Sequence, residues 1–307
     1  MRFLPIRLRS IVAALIVQFC LPCGHVSAHP ASGIVADARG NIYFIDSRHA
    51  VMKLDTNHQM TVVLKVSDGH WLAIDETGQL SRSAPRYFQR ITPSGATPTL
   101  IFAGGGAPLV VAEDRALYYA SGESHGDPMF PGGLGLSRIL PDGRQLPVSD
   151  GLREILRSWD DGITGLAAGY DQSVYVATWT GVLRIGFDGT VTVIKHPIAV
   201  PGCDQDPADH KPDNRLPYLR GLAVVRDGTV YAAATSCHAV IRIGPRGDVR
   251  TVLRSERPWS PTGVAAHGDD LYVLEYTNAN GPATEGWRPR IRQIDGQGRV
   301  TTVASIP

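Results

Sequence analysis

A short motif recurs six times along this chain: a triplet whose middle residue is basic in five copies and whose third residue is aliphatic in all six. The copies are Met52-Lys53-Leu54, Gln89-Arg90-Ile91, Ser137-Arg138-Ile139, Leu183-Arg184-Ile185, Ile241-Arg242-Ile243 and Arg292-Gln293-Ile294. Their third residues are 37, 48, 46, 58 and 51 residues apart, a spacing typical of propeller blades or solenoid coils. The repeat therefore constrains the chain to a series of similar units.

Each unit contains further apolar segments that predict strands. Upstream of the triplet lies a doublet, which reads Ile42-Tyr43, Leu117-Tyr118, Val174-Tyr175, Val230-Tyr231 and Leu271-Tyr272, with Leu80-Ser81 as a degenerate copy. A run rich in Ala, Val and Gly precedes the doublet, and a glycine turn with another apolar run follows the triplet. Small residues suit innermost strands that crowd around a channel. We therefore predict an all-β, six-bladed β-propeller with four antiparallel strands per blade.

The two ends of the chain predict how the ring closes. The first innermost strand is expected at residues 33–37 and the last outermost strand at residues 300–304. No blade then needs strands from both ends, and we predict no strand exchange at ring closure.

The first 28 residues have the features of a signal peptide. Arg2, Arg7 and Arg9 give a positive start, residues 11–19 are apolar, and Val26-Ser27-Ala28 is a small-residue cleavage site. A retained membrane anchor is the alternative, although the apolar stretch is short for a membrane span. We predict cleavage after Ala28, one propeller domain over residues 29–307, a periplasmic or secreted location and no membrane association after cleavage.

The net charge limits the kinds of partner this chain can bind, and the cysteine content indicates its redox environment. With 30 basic and 29 acidic residues the net charge is +1, which argues against a nucleic-acid partner because phosphate binding needs a clustered basic excess. Cleavage would leave Cys203 and Cys237 as a pair in an oxidising compartment, where a disulfide is expected; two free thiols are the alternative. We expect a monomer.

The repeat pattern resembles the NHL repeat and, more broadly, the six-bladed propellers that include SMP-30/gluconolactonase-like proteins, over essentially the whole mature chain. The resemblance implies a superfamily of lactonases, lyases and interaction modules. Its lactonases are implied to hold a divalent cation with a glutamate, an asparagine and an aspartate. This chain departs from that pattern, because Thr262 stands at the asparagine position and no glutamate opens the first blade at residues 31–33. Related amidating lyases are implied to bind zinc with histidines that directly precede innermost strands. In this chain only His70 holds such a position.

The long insertions indicate which face of the disc is functional. In a blade, the connection between the second and third strands and the connection to the next blade emerge on one face. The long insertions fall there, at residues 121–135, 149–162, 195–220, 255–262 and 275–290.

Two of these insertions have a recognisable pattern. The insertion at residues 149–162 has helical spacing at Leu152, Ile155, Leu156 and Trp159, with Asp150 as the expected N-cap. This helix is either a lid or a plug between blades. Residues 201–214 are rich in aspartate but lack EF-hand spacing, which favours a solvated loop over a calcium site.

Residues next to strand ends on this face are the candidate site. We select Arg220 and His238 as candidate catalytic groups, Asp46 and Glu275 as candidate ligands for a divalent cation (calcium or zinc), and four candidate ligand-binding residues: His49, His70, Trp179 and Tyr276. In the alternative, Arg220 and Glu275 form an ordinary inter-blade salt bridge and the histidines bond backbone groups at turns.

Two functions remain in competition. The first is an exported propeller that binds a small molecule, a carbohydrate, a peptide or a protein on this face without chemical turnover, a role suited to a rim carrying Trp159, Trp179, Trp259 and Trp287. The second is a metal-assisted, lactonase-like hydrolase or a lyase at the channel mouth, with His238 as base and Arg220 as oxyanion stabiliser. The absence of Gly-x-Ser-x-Gly, Walker and Rossmann motifs removes support for serine-nucleophile hydrolysis and nucleotide chemistry.

Overall fold

The structure is a computed structural model that describes residues 30–46, 50–66, 69–78, 80, 88–92, 98–103, 107–124, 133–203, 217–277 and 287–306. These residues form six antiparallel sheets, which confirms the predicted six-bladed propeller. Blade one contains β1 (Ile34–Ala36), β2 (Ile42–Asp46), β3 (Ala50–Leu54) and β4 (Met60–Lys65). Blade two contains β5 (Trp71–Asp75), β6 (Phe88–Ile91) and β7 (Thr99–Ala103). Blade three contains β8 (Leu109–Val111), β9 (Leu117–Ser124), β10 (Gly133–Ile139) and β11 (Gln145–Pro147).

The second half of the chain is the more regular. Helix α1 (Asp150–Trp159) precedes blade four, which contains β12 (Ile163–Ala168), β13 (Val174–Thr178), β14 (Val182–Ile185) and β15 (Val191–Lys195). Blade five contains β16 (Leu219–Val224), β17 (Val230–Ala234), β18 (Ala239–Ile243) and β19 (Val249–Arg254). Blade six contains β20 (Trp259–His267), β21 (Asp270–Thr277), β22 (Pro289–Ile294) and β23 (Val300–Ser305).

The two recurring sequence elements lie opposite each other in the sheets. In five blades the tyrosine of the doublet faces the middle residue of the triplet across the second and third strands. The pairs are Tyr43 with Lys53, Tyr118 with Arg138, Tyr175 with Arg184, Tyr231 with Arg242 and Tyr272 with Gln293. The repeat is thus a cross-strand pair that sets the register of each blade.

Blade two departs from the expected strand order. Among the described residues it has three strands, ordered β5-β7-β6, so β7 takes the second position instead of the expected fourth. Leu100, Ile101 and Phe102 of β7 are all buried, as a strand inside the sheet requires, whereas the expected doublet offers Leu80 alone as an apolar residue. Ser81 lies outside the described residues.

The blades pack side by side around an axis, and their innermost strands are β1, β5, β8, β12, β16 and β20. Five clusters of buried apolar residues fill the spaces between neighbouring blades. In the described residues no sheet combines strands from both ends of the chain, which confirms closure without strand exchange. Blades six and one instead meet through packing, and the Thr262 hydroxyl donates a hydrogen bond to the Ala31 carbonyl at 2.7 Å.

Helix α1 forms where the apolar spacing predicts it. Leu152 and Leu156 are fully buried between blades three and four, so the helix fills the space between these blades. The expected N-cap is wrong by one residue: the N-cap is Ser149, which has an extended backbone, whereas Asp150 is already helical. No helix among the described residues is long and apolar enough to cross a membrane.

Candidate functional site

Each innermost strand begins on one face of the disc, which we call the long-loop face, and ends on the other, the tight-turn face. The connection between blades three and four, which contains α1, and the connection between second and third strands both emerge on the long-loop face. The tight-turn face has short hairpin turns such as residues 268–269. The candidate residues that the structure describes all lie near strand ends on the long-loop face.

Glu275 is the most buried charged candidate, and its partner is Arg290. Its carboxylate is 0% exposed, accepts a hydrogen bond from Arg290 Nε through Oε2 and accepts another from the Ser255 hydroxyl through Oε1. Glu275 and Arg290 lie directly opposite each other on β21 and β22. Because a guanidinium and a hydroxyl already engage both carboxylate oxygens, Glu275 in this arrangement does not fit the role of a calcium or zinc ligand.

Arg290 extends this ion pair to the surface. Its Nη1 lies 2.6 Å from Oε1 of Glu256, whose side chain is 62% exposed, and its guanidinium lies over the Trp259 ring, 4.1 Å from the centroid. Arg292 approaches the same glutamate at 3.3 Å. The hydrogen bond from Arg290 lowers the pKa of Glu256 to about 2. Arg290 thus stacks on an aromatic ring and bonds two carboxylates at the rim.

His238 is held by backbone and side-chain groups of the sixth blade. Its Nδ1 lies 2.8 Å from the Trp259 carbonyl oxygen and 2.8 Å from the Ser260 hydroxyl, and its own backbone adopts a left-handed conformation with φ 49°. Nδ1 can donate to the carbonyl or accept from the hydroxyl, according to the tautomer. His238 thus lies beside Trp259, at the same rim position as the Arg290 network.

Arg220 and His70 lie at the hub, where the chain segment before β1 is buried. The Arg220 guanidinium donates to the Pro30 carbonyl oxygen, and the backbone NH groups of Ser32 and Gly33 donate to the His70 carbonyl at 3.0 and 2.9 Å. Arg220 is 2% exposed, and burial lowers its pKa from the ordinary arginine value. The structure therefore does not bring Arg220 and Glu275 together as an ion pair, since Glu275 bonds Arg290.

Three of the remaining candidates are buried. Tyr276 is 0% exposed, and its hydroxyl donates to the Ile45 carbonyl across the interface between blades six and one. Asp46 is buried at the end of β2, and Trp179 is buried after β13. His49 and residues 204–214 lie outside the described residues. Among the described residues no three His, Cys, Asp or Glu side chains converge as a metal site.

Two features of this face were not selected from the sequence. The Trp159 ring at the end of α1 stacks on the His196 ring, with centroids 3.7 Å apart and planes 2° from parallel, and both residues are partly exposed. Burial lowers the pKa of His196. The second feature is Asp161, which is 1% exposed and accepts hydrogen bonds from the backbone NH groups of Gly162, Trp179 and Thr180. Asp161 thereby fixes the Trp179 turn, and its position directly after a helix end was its only sequence signal.

The predicted disulfide is present. Cys203 and Cys237 are bonded, with Cα atoms 4.8 Å apart and a sequence separation of 34. The bond ties the connection between blades four and five to the 3₁₀ turn Thr235–Cys237 that precedes His238.

The chain matches no family model, and no curated protein matches it in sequence. Solved structures do match. They include a calcium-binding regucalcin from Agrobacterium tumefaciens (16% identity, 81% of this chain and 82% of that chain, TM-score 0.52). They also include a PQQ-bound aldose sugar dehydrogenase from Streptomyces coelicolor (16%, 87% and 95%, 0.52) and a gluconolactonase from Xanthomonas campestris (15%, 81% and 84%, 0.50).

These structural matches establish the fold of the chain, but they do not assign it an activity. The chain is a six-bladed β-propeller with the fold of the SMP-30/gluconolactonase-like and regucalcin-like propellers, as the repeat pattern indicates.

Proposed function

We propose that this chain is an exported propeller that binds a carbohydrate, peptide or other ligand through aromatic residues on its long-loop face, with no chemical turnover assigned. The observation that carries the proposal is that Trp159 and Trp259 are partly exposed and each is held by a stacking partner, His196 and Arg290. A side chain that is already ordered loses little entropy when a ligand binds. Trp and Arg are also enriched among residues that dominate binding energy.

The charges around Trp259 support recognition of a polar ligand. Glu256 is largely exposed, and Arg290 and Arg292 both contact it. The rim therefore combines an aromatic surface with an acceptor and fixed donors within one cluster. This combination suits a sugar ring or a peptide bearing a charged side chain.

Glycan and peptide arrays test the proposal. We expect a discrete set of ligands whose binding falls at least about tenfold in Trp259→Ala or Trp159→Ala. Phe187→Ala is the matched control, because Phe187 is 64% exposed on the tight-turn face. The proposal fails if the array hits bind the tryptophan variants and the wild type equally.

A metal-assisted hydrolase or lyase at the channel mouth is the second candidate. It would require Glu275 to release Arg290 and take a cation, at the cost of a buried ion pair. Metal analysis of the purified protein separates the two functions. Stoichiometric calcium or zinc that is lost in Glu275→Ala or Asp46→Ala would favour the enzyme.

Export is the remaining part of the proposal. Cleavage after Ala28 would leave His29 as the first residue, directly before the buried segment 30–33. N-terminal sequencing of protein recovered from the periplasm or the medium should begin at His29. Recovery of the chain with residues 1–28 intact in the membrane fraction would contradict export by cleavage.

A further inference from the structure

A cavity of about 480 Å³ runs along the propeller axis. Innermost-strand residues of all six blades line it. Its volume lies within the range of about 300–1,000 Å³ typical of small-molecule sites. The candidate site on the long-loop face does not account for this space, because its Arg290 network lies between strands β21 and β22, away from the axis.

The lining of the cavity is buried at the end toward the long-loop face. Ser32, Trp71 and Leu109, which line this end, are all buried. Neighbouring strands also come into backbone contact here, since a Cβ on Gly263 would lie only 2.4 Å from the Ser32 carbonyl oxygen.

The opposite end opens on the tight-turn face. The lining residues Glu76, Thr77, Glu113, Arg115 and Tyr170 lie at or just beyond the ends of innermost strands and are exposed. The entrance is therefore separate from the long-loop face.

The walls combine aliphatic side chains with strand edges. The Gly33 carbonyl accepts a hydrogen bond from Ile45 NH of β2, and the Asp37 NH donates to the carbonyl of Asn41, directly before β2. Because antiparallel strands bond through alternate residues, the backbone groups of Ile34 and Ala36 point away from β2, toward the axis. The same alternation directs the backbone groups of Leu166 and Ala168 into the cavity. An occupant would thus meet apolar surface and scattered amide groups.

The charged residues of the lining are mostly acidic: Asp75, Glu76 and Glu113 against Arg115. Asp75 is occupied by its own turn, where it accepts hydrogen bonds from the NH groups of Thr77, Gly78 and Leu80. Glu76 accepts one hydrogen bond from Ala38 NH at 2.7 Å. Burial raises its pKa, and the nearby Asp37 and Asp75 raise it further, against an opposing contribution from Arg39. Glu76 and Glu113 therefore offer carboxylate oxygens to a cationic group at the entrance.

We propose that the axial channel binds, from the tight-turn face, a slender molecule with an aliphatic body and a cationic head, such as an alkylamine. The aliphatic part lies along the inner strands, and the ammonium group lies at the entrance beside Glu76 and Glu113. This site is independent of the function proposed for the long-loop face.

Calorimetric titration with decylamine, decanol and decanoate below their micelle concentrations tests the site. The expected order of affinity is decylamine, then decanol, then decanoate. Ala168→Phe and Ala266→Phe each fill the channel and should weaken decylamine binding at least about tenfold. Ala199→Phe makes the same change at an exposed position between β15 and β16, outside the lining, and should leave binding unchanged.

Head-group selection has its own control. Glu76→Gln and Glu113→Gln should each weaken decylamine binding by up to about fivefold, an effect that salt reduces, and should leave decanol binding unchanged. Glu154→Gln, on the exposed side of α1, is the matched control. Trp159→Ala and Trp259→Ala should not alter decylamine binding, which separates this site from the long-loop face. The proposal is overturned if none of the three probes binds, if decanoate binds most tightly, or if folded Ala168→Phe and Ala266→Phe proteins bind as the wild type does.

Discussion

Glu275 and Arg290 form a buried cross-strand ion pair, in which Arg290 Nε donates to a carboxylate that is 0% exposed. The pair connects the interior of blade six to Trp259 and Glu256 at the rim. The proposed recognition surface therefore depends on a charge that solvent does not reach.

Removing the buried carboxylate should destabilise the protein strongly. Glu275→Ala leaves the Arg290 side chain, only 9% exposed, without its interior partner, and we expect a loss of about 3–5 kcal/mol in the free energy of unfolding. Asp248→Ala is the control, because it breaks an exposed pair with Arg242 and should cost no more than about 1 kcal/mol. Urea unfolding monitored by circular dichroism measures both values. Equal costs would mean that the Glu275 pair does not act as a buried pair.

The Glu256 contact should make stability depend on pH in the acid range. Its folded-state pKa is about 2 against an ordinary 4.5, so its contribution is complete above pH 4.5 and is lost as the pH falls toward 2. Because the side chain is 62% exposed, the contribution should be below about 1 kcal/mol. The difference in unfolding free energy between wild type and Glu256→Gln should therefore shrink between pH 5 and about 2. A difference that stays constant over this range would rule out the contact as its source.

Reduction of the disulfide should lower stability without changing the fold. The Cys203–Cys237 bond closes a separation of 34 residues, worth about 4 kcal/mol on the chain-entropy model. Thermal unfolding with and without dithiothreitol should show a lower midpoint for the reduced protein, and the double variant Cys203→Ser/Cys237→Ser should match it. An unchanged midpoint would show that the bond constrains the unfolded chain very little.

The close approach of blades six and one can be tested at a glycine. A Cβ on Gly263 would lie 2.4 Å from the Ser32 carbonyl oxygen and 2.8 Å from Ile34 Cγ2, so Gly263→Ala should destabilise by about 1–3 kcal/mol. Gly151→Ala is the opposite case, because this site in α1 has room for a Cβ and should gain about 0.5–1 kcal/mol. Chemical denaturation gives both values. A neutral Gly263→Ala would mean that the blades can separate locally at no cost.

The fold was predictable because its signal is a repeated cross-strand pair. Tyr118 faces Arg138 and Tyr175 faces Arg184, so the doublet and the triplet mark the second and third strands in each regular blade. In blade two the doublet has lost its tyrosine, and β7 occupies the second position. Pattern matching fails there because burial decides which strand lies inside the sheet.

The candidate site was only partly predictable. One of its ion pairs, Glu275 with Arg290, could have been derived from the register of the repeat. Tyr272 faces Gln293, so three residues further along β21 and three back along β22 place Glu275 opposite Arg290. The alternative considered for Glu275, a salt bridge with Arg220, is not formed, because the carboxylate bonds Arg290 instead. The stacking of Trp159 on His196 could not be found in this way, because it joins a helix end to an inter-blade connection with no shared register.

Site-specific photo-crosslinking in cells tests whether the long-loop face recognises a ligand. A benzophenone side chain placed at Ser158 or at Glu256 lies next to Trp159 or in the Arg290 network, whereas one at Phe187 lies on the tight-turn face. We expect a discrete crosslinked product from the first two positions that disappears in the Trp159→Ala and Trp259→Ala backgrounds, and none from Phe187. A product from Phe187 alone, or products unaffected by the tryptophan substitutions, would contradict this expectation.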